Sequence, residues 1–188
     1  MNKIIAFLFL CITFNSAVTA QYTQQITNVR AQARIFADAT IKRDYNTVLK
    51  YTNIEGFPRG KLNVVTIPKA LKILQTVDSQ MIKNRMEIKS INFGEVLCIV
   101  KEGFELQCTI AQTTETKMQF GRTITKSTLL GISTDNGVNW KFIDATGRDS
   151  KEMRKLLPRL SSRVIFANPE NPKLIPDPKP SNNSSLKK

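Results

Sequence analysis

The side chains that could do chemistry in this 188-residue chain are few, because the sequence contains no histidine. Acid–base work would fall to carboxylates and tyrosines, a carboxylate as base and a phenol as hydrogen-bond donor. Asp38, Asp44, Tyr45 and Tyr51 stand close together in the sequence, and Asp144 ends an apolar stretch. Of these, Asp44, Tyr45, Tyr51 and Asp144 are the candidates for a pocket. Each also has a plainer reading. Asp44 suits a helix N-cap, the tyrosines suit packing with a wet hydroxyl, and Asp144 followed by Ala-Thr-Gly suits a strand exit. No nucleophile–base constellation is present, so no residue is assigned as catalytic. The absence of histidine removes Ser-His-Asp and Cys-His activation. It also removes histidine-based zinc sites, and two thiols alone close a zinc site poorly. No metal and no cofactor is therefore expected.

The next reactive pair is Cys98 and Cys108, the cysteines left once Cys11 is set aside in the N-terminal segment. A three-residue loop over 102–104 would pair Lys101 with Glu105 and, in the same register, Cys98 with Cys108. Directly opposed Cβ atoms lie ~4.5–5.5 Å apart, and a disulfide wants about 3.5–4.5 Å. A two-residue loop would miss by one position. The pair is thus a disulfide candidate, with two buried free thiols as the alternative. The spacing is not the C-x-x-C of a redox pair.

The elements that must position these residues can be read from periodicity. Over 24–43, Ile26, Val29, Ala33, Phe36, Ala37 and Thr40 fall at spacings of three and four, an amphipathic helix. A short second helix is expected from Tyr45 to Thr52. Gly56, Pro58 and Gly60 predict a loop, with Leu62 to Ile67 as a short strand or connector. Pro68 fits a first helical turn, opening a third helix with Leu71, Leu74, Val77, Met81 and Ile82 that ends near Arg85. The period then changes to two. Strands are expected over Glu87–Phe93, Glu95–Lys101, Phe104–Thr114, Arg122–Ser133 and Val138–Asp144. In the third, Phe104, Leu106, Cys108 and Ile110 share one face, with Glu105, Gln107 and Thr109 on the other. Asp135-Asn136-Gly137 marks a turn. A short helix over 149–157 stops at Pro158, and Leu160, Val164, Ile165 and Phe166 can pack back.

Three segments follow. Residues 1–20 carry Lys3, an apolar run from Ile4 to Ile12 and small residues ending at Ala20, the layout of a cleaved secretory signal. The run is short of the ~20 apolar residues of a membrane span, and Leu10 before Cys11 speaks against lipid attachment there. Residues 21–167 form one α+β domain. Residues 168–188 turn to Pro, Asn, Ser and Lys, which bury too little to order themselves and read as a disordered tail. The localisation expected is periplasmic or extracellular. Hydrophobic content of 41% with 23% charged residues is that of a globular protein. The net charge of +13 attracts anions. The basic residues are spread, with no dense run and no aromatic stripe for stacking bases, so no specific nucleic acid is expected.

The stretches Arg43 to Thr52, Glu105-Leu106-Gln107-Cys108, and Gly131-Ile132-Ser133 running on to Trp140 to Asp144 resemble the nuclear-transport-factor-2-like superfamily, a cystatin-like α+β cone, and within it an exported bacterial branch of unassigned function. The resemblance covers about residues 22–166. It implies three N-terminal helices packed on a curved, mostly antiparallel sheet that leaves a conical pocket. The isomerase-like members of that superfamily pair an acidic base with a tyrosine-type oxyanion donor, but no residue here aligns with those positions. A second match, Ser133 to Trp140, fits the S-x-D-x-G-x-x-W pattern of Asp-boxes. A propeller needs many copies and this chain has one, so it reads as a hairpin turn.

The reading that results is an exported, non-catalytic binding or interaction domain whose partner is a small molecule or protein. One alternative is a ketosteroid-isomerase-like enzyme with carboxylate and tyrosine chemistry. Another is a basic binder of anionic envelope components through its C-terminal arm. A homodimer is open, with Thr123, Thr125 and Ser127 on one strand face neither favouring nor opposing it.

Overall fold

The computed structural model describes residues 2–54 and 66–178, with side chains from Gln21 onward. The first helix, α1, runs from Asn2 to Lys42, so the expected helix over 24–43 is the C-terminal part of a longer one. Helix α2 spans Tyr45–Tyr51 and α3 spans Ile67–Lys83, with proline in its first turn as expected. The strands are β1 (Glu87–Glu102), β2 (Glu105–Met118), β3 (Gly121–Ser133) and β4 (Lys141–Asp144). Helix α4 (Ser150–Leu156) and β5 (Lys173–Pro176) close the order. The fold class is the mixed α+β expected: N-terminal helices against an open antiparallel sheet, ordered β1-β2-β3-β4 with β5 also on β3. No helix among the described residues is long and apolar enough to cross a membrane. The loop expected over 53–67 lies mostly outside the described residues, and Ile67 already opens α3.

Several boundaries differ from the pattern reading. The two strands expected over 87–101 are one, β1, with register shifts between Ile88/Ser90, Phe93/Val96 and Val96/Cys98. A bulge breaks the alternation without ending the strand. Val138 and Asn139 belong to a turn. In the expected tail, Lys173–Pro176 pairs with Gly121–Ile124 of β3. Its ladder supplies backbone hydrogen bonds that composition does not reveal. Residues 179–188 lie outside the described residues.

Both faces of the sheet are buried. On one, Val29 and Ala33 of α1 pack with Leu106, Cys108, Ile110, Leu129, Trp140 and Phe142. On the other, Val100, Leu130, Ile132 and Ile143 pack under Met153, Leu157, Leu160 and Val164. The alternation along β2 is as expected, yet its polar face is also covered. Gln107 Nε2 donates to the Arg159 carbonyl at 2.9 Å, and its Oε1 accepts from Ser161 N at 2.8 Å. Thr109 Oγ1 donates to the Ile165 carbonyl at 2.6 Å. These polar side chains act as anchors for the backbone of 159–165, which has no strand neighbour to satisfy it.

The Ser133–Trp140 turn is structural, as expected. Asp135 Oδ1 accepts from Asn139 N at 2.9 Å, and Trp140 Nε1 donates to the Gly137 carbonyl at 3.0 Å. Helix α1 grips it from outside. Gln25, Asn28 and Gln32 donate to the carbonyls of Asn136, Gly137 and Val138, and Gln32 Oε1 accepts from Trp140 N. Gly137 has φ +87, and a Cβ there would lie 2.7 Å from Gln25 Cγ, so glycine is required twice over.

The disulfide pairing does not occur. The β1–β2 turn is the two-residue one, with Glu102 opposite Glu105, so Cys98 lies opposite Thr109 and Cys108 opposite Ile99. The cysteines are free. Cys98 packs with the α4 side of the core and Cys108 with the α1 side, because a one-residue slip sends a side chain to the other face.

Candidate functional site

Helix α3 is the element that departs most from its expected role. Its apolar stripe should be core, but Ala70 is its one buried residue. Val77 is 49% exposed and Ile82 54%. The stripe instead forms one wall of a groove of about 630 Å³, between α3, the C-terminal end of α1, α2 and the start of β1. Ile41, Val48, Leu74, Met81, Met86 and Ile88 continue its apolar lining. That volume is within the range of small-molecule sites, ~300–1,000 Å³.

Polar groups converge on one part of this groove. Asp78 is set on the apolar stripe of α3, one helical turn from Leu74. Its Oδ1 pairs with Arg43 Nε at 2.8 Å. Its Oδ2 accepts from the Tyr45 hydroxyl at 2.7 Å. The bond to Asp78 holds the Tyr45 phenol above its ordinary pKa, with burial and the Asp78 charge adding to it. Arg85, Glu87 and Lys117 line the same groove. Glu87 is held below the usual carboxylate range, first by its hydrogen bond from Lys89, with the charges of Lys89, Arg43 and Lys117 contributing.

Two arginines here sit in an uncommon backbone state. Arg43 has φ +60 and Arg85 φ +54. Both occupy the position after a helix end that glycine usually fills. The Arg43 and Asp44 N–H groups donate to the Thr40 and Ala39 carbonyls, and those of Arg85 and Met86 to Ile82 and Met81. This is the Schellman arrangement twice, each time with arginine in the left-handed position. A side chain there costs roughly 1–2 kcal/mol. Non-glycine residues held in this region concentrate at functional sites. Of the three such residues in the described chain, Arg43 and Arg85 line this groove, and Asn136 is in the Ser133–Trp140 turn.

The four expected pocket residues are not brought together. Tyr45 lines the groove. Asp44 caps α2, accepting from Thr47 N, and its pKa is lowered first by the Thr47 side chain and then by that backbone bond. Tyr51 packs against the α1-side core with the Lys50 ammonium 5.7 Å from its ring centre. Asp144 is exposed at the exit of β4. Its Oδ1 accepts from Thr146 N and Oγ1, and its Oδ2 accepts from Gln112 Nε2 at 3.0 Å. Asp38 is exposed on α1. Ser127 is buried against Gln112 on the α1-facing side, so it offers nothing to a second copy. Arg43, Asp78 and Arg85 were missed. A carboxylate at helical spacing on an otherwise apolar stripe was the available signal for Asp78.

A second cleft of about 940 Å³ lies between the end of α2, β4 and residues 157–160. Its acids already have partners. Glu105 is tied to Arg159 Nη2 at 3.1 Å and to Gln107, and Asp135 to its turn. Lys141 Nζ donates to the Lys50 carbonyl. Among the described residues no group of three His, Cys, Asp or Glu could hold a metal ion.

No protein-family model matches this chain, and no curated protein matches it. Among solved structures, an M. tuberculosis LEH-like epoxide hydrolase is similar over 73% of this chain and 91% of its own, with 16% identity and a TM-score of 0.35.

Proposed function

We propose that this chain is an exported, non-catalytic binding domain of the nuclear-transport-factor-2-like kind, and that the groove beneath α3 takes a small amphipathic anion. The carrying observation is the pair of left-handed arginines, Arg43 and Arg85, at the groove's edge. Glycine would serve the backbone better at both positions, so the side chains are what the positions retain. The apolar wall of Leu74, Val77 and Met81 suits the ligand's body, and Arg85 and Lys117 suit its charged end. Arg43 is already bonded to Asp78 and positions Tyr45 through it.

Binding fits this geometry better than proton transfer. A general base needs hydrogen-bond reach to the substrate proton it takes. Asp78 is instead oriented toward the protein, one oxygen paired with Arg43 and the other accepting from the Tyr45 hydroxyl, whose proton is thereby directed at Asp78.

Titration with the amphipathic anion 1-anilinonaphthalene-8-sulfonate tests the reading. Saturable one-to-one binding is expected, weakened tenfold or more by Val77→Asp, since burying such a side chain contributes ~1.5–3 kcal/mol. Ile73→Asp, on the same helix outside the groove lining, should leave it unchanged. Equal effects of the two substitutions, or no saturable binding, would contradict the proposal.

A further inference from the structure

Helix α3 walls the groove, yet its polar fastening to the rest of the chain is concentrated at one residue. Among the described residues its side chains make two polar links to other elements, and both end on Asp78. Oδ1 meets Arg43 Nε at 2.8 Å, and Oδ2 accepts from the Tyr45 hydroxyl at 2.7 Å. The Thr76 and Ser79 hydroxyls turn back onto the Lys72 and Gln75 carbonyls of the helix itself. At the front end the N-cap Thr66 makes no side-chain cap bond, and Ile67 is 66% exposed. At the far end the chain turns into β1 through Asn84, Arg85 and Met86, with Arg85 at φ +54. Ala70 is the helix's buried residue. Helix α1 is held quite differently: Val29 and Ala33 are wholly buried, and Gln25, Asn28 and Gln32 bond to the Ser133–Trp140 turn.

Elements with little buried apolar surface open at a lower free-energy cost than the core. A helix of 17 residues draws most of its stability from packing, so α3 lifted from its seat would also fray. The Asp78 side chain is 19% exposed and that of Arg43 44%, so water reaches the fastening and can solvate both charges when it parts. The receiving side is fixed, because Arg43 closes α1 through its backbone bonds and Val48 of α2 is buried. We infer that α3 is a gate over the groove, latched by Asp78 onto Arg43 and Tyr45 and turning at Asn84–Arg85. This rests on the reading of the groove as a ligand site and adds how the ligand enters. Leu74, Val77 and Met81 belong to α3 itself, so swinging the helix aside removes a whole apolar wall and lets a ligand in from the side.

Hydrogen–deuterium exchange of the protein without ligand reads the latch, and stopped-flow mixing with 1-anilinonaphthalene-8-sulfonate reads the gate. In the parent, amides of 70–83 should exchange about tenfold or more faster than those of 29–37 in α1. Asp78→Ala should quicken 70–83 by a further factor of about ten and leave 29–37, β2 and β3 as they were. Alanine is the better helix former, so propensity alone would act the other way. Tyr45→Phe removes one bond and keeps every charge, and should quicken 70–83 about threefold. Dye association should quicken in step in both variants. Ser79→Ala, next to Asp78 but bonded only within α3, should quicken neither. An α3 as slow to exchange as α1, no change in Asp78→Ala, or quickening spread over every element would overturn the latch. Faster exchange without faster dye association would overturn the gate. Loss of saturable dye binding with the exchange pattern intact would instead strike the groove reading, and the gate with it, so the two failures are told apart.

Discussion

Replacing Arg85 with glycine should make the protein more stable and a poorer binder, a combination that a merely structural arginine would not produce. Arg85 follows α3 in the left-handed conformation at φ +54. Relieving a side chain there recovers roughly 1–2 kcal/mol. Glycine's extra freedom in the unfolded chain returns about 0.5–1 kcal/mol. The Schellman hydrogen bonds from Arg85 N and Met86 N are backbone groups and survive the change. The net expectation is a gain of about 0.5–1 kcal/mol, seen as a urea midpoint raised by a few tenths molar at an m-value of ~1–3 kcal/mol per molar. Arg85 is exposed, so its attraction to a bound anion has the aqueous size of ~1 kcal/mol at contact, about fivefold in affinity. Arg85→Lys should keep the affinity within about twofold while gaining no stability. Paired urea melts and anilinonaphthalene sulfonate titrations read both quantities. A glycine variant that is less stable, or one that binds as well as the parent, would refute the reasoning.

Gln107→Leu should destabilise by about 3 kcal/mol, because it strips partners from Ser161 N, the Arg159 carbonyl and Glu105 in a buried setting where each loss costs ~1–3 kcal/mol; a surface glutamine would change stability by less than about 0.5 kcal/mol, and urea denaturation separates the two. Gln32→Ala should cost about 1–2 kcal/mol and shift Trp140 fluorescence, since it frees Trp140 N and the Val138 carbonyl together. Thiol titration of the unreduced protein should find Cys98 and Cys108 free on denaturation. In the native state Cys108 should stay unreactive, its thiol pushed up by burial and then by the nearby Cys98. Tyr45 has a raised folded pKa, so the folded state holds its proton more tightly than the unfolded chain. Its contribution is therefore complete below the ordinary tyrosine pKa of about 10 and is lost as pH rises through the folded value. Alkaline unfolding curves of Tyr45→Phe should lack that loss.

Much of this fold was legible because local signals and tertiary packing agree. The α1 stripe of Val29, Ala33 and Ala37 is buried where its spacing placed it. Asp44 caps α2, and the alternation of β2 puts Leu106, Cys108 and Ile110 on one core face. What escaped depended on partners distant in sequence. Gln107 and Thr109 alternate as solvent residues would, and only the backbone of 159–165 makes them buried anchors. The cysteine register turned on a single residue of loop length, which pattern cannot fix. β5 is held by its ladder on β3 more than by its own composition. At the groove, Asp78 was readable as a carboxylate on an apolar stripe. The left-handed states of Arg43 and Arg85 were not, because the usual marker of that conformation is a glycine and neither position has one.

Native mass spectrometry of the protein recovered from cells expressing the full gene tests the central claim most directly. The account predicts a mature chain starting near Gln21 that carries one extra small-molecule mass, absent from the Val77→Asp variant and retained by Ile73→Asp. A chain bearing no added mass in any of the three, or one whose adduct survives Val77→Asp, would contradict a ligand held beneath α3.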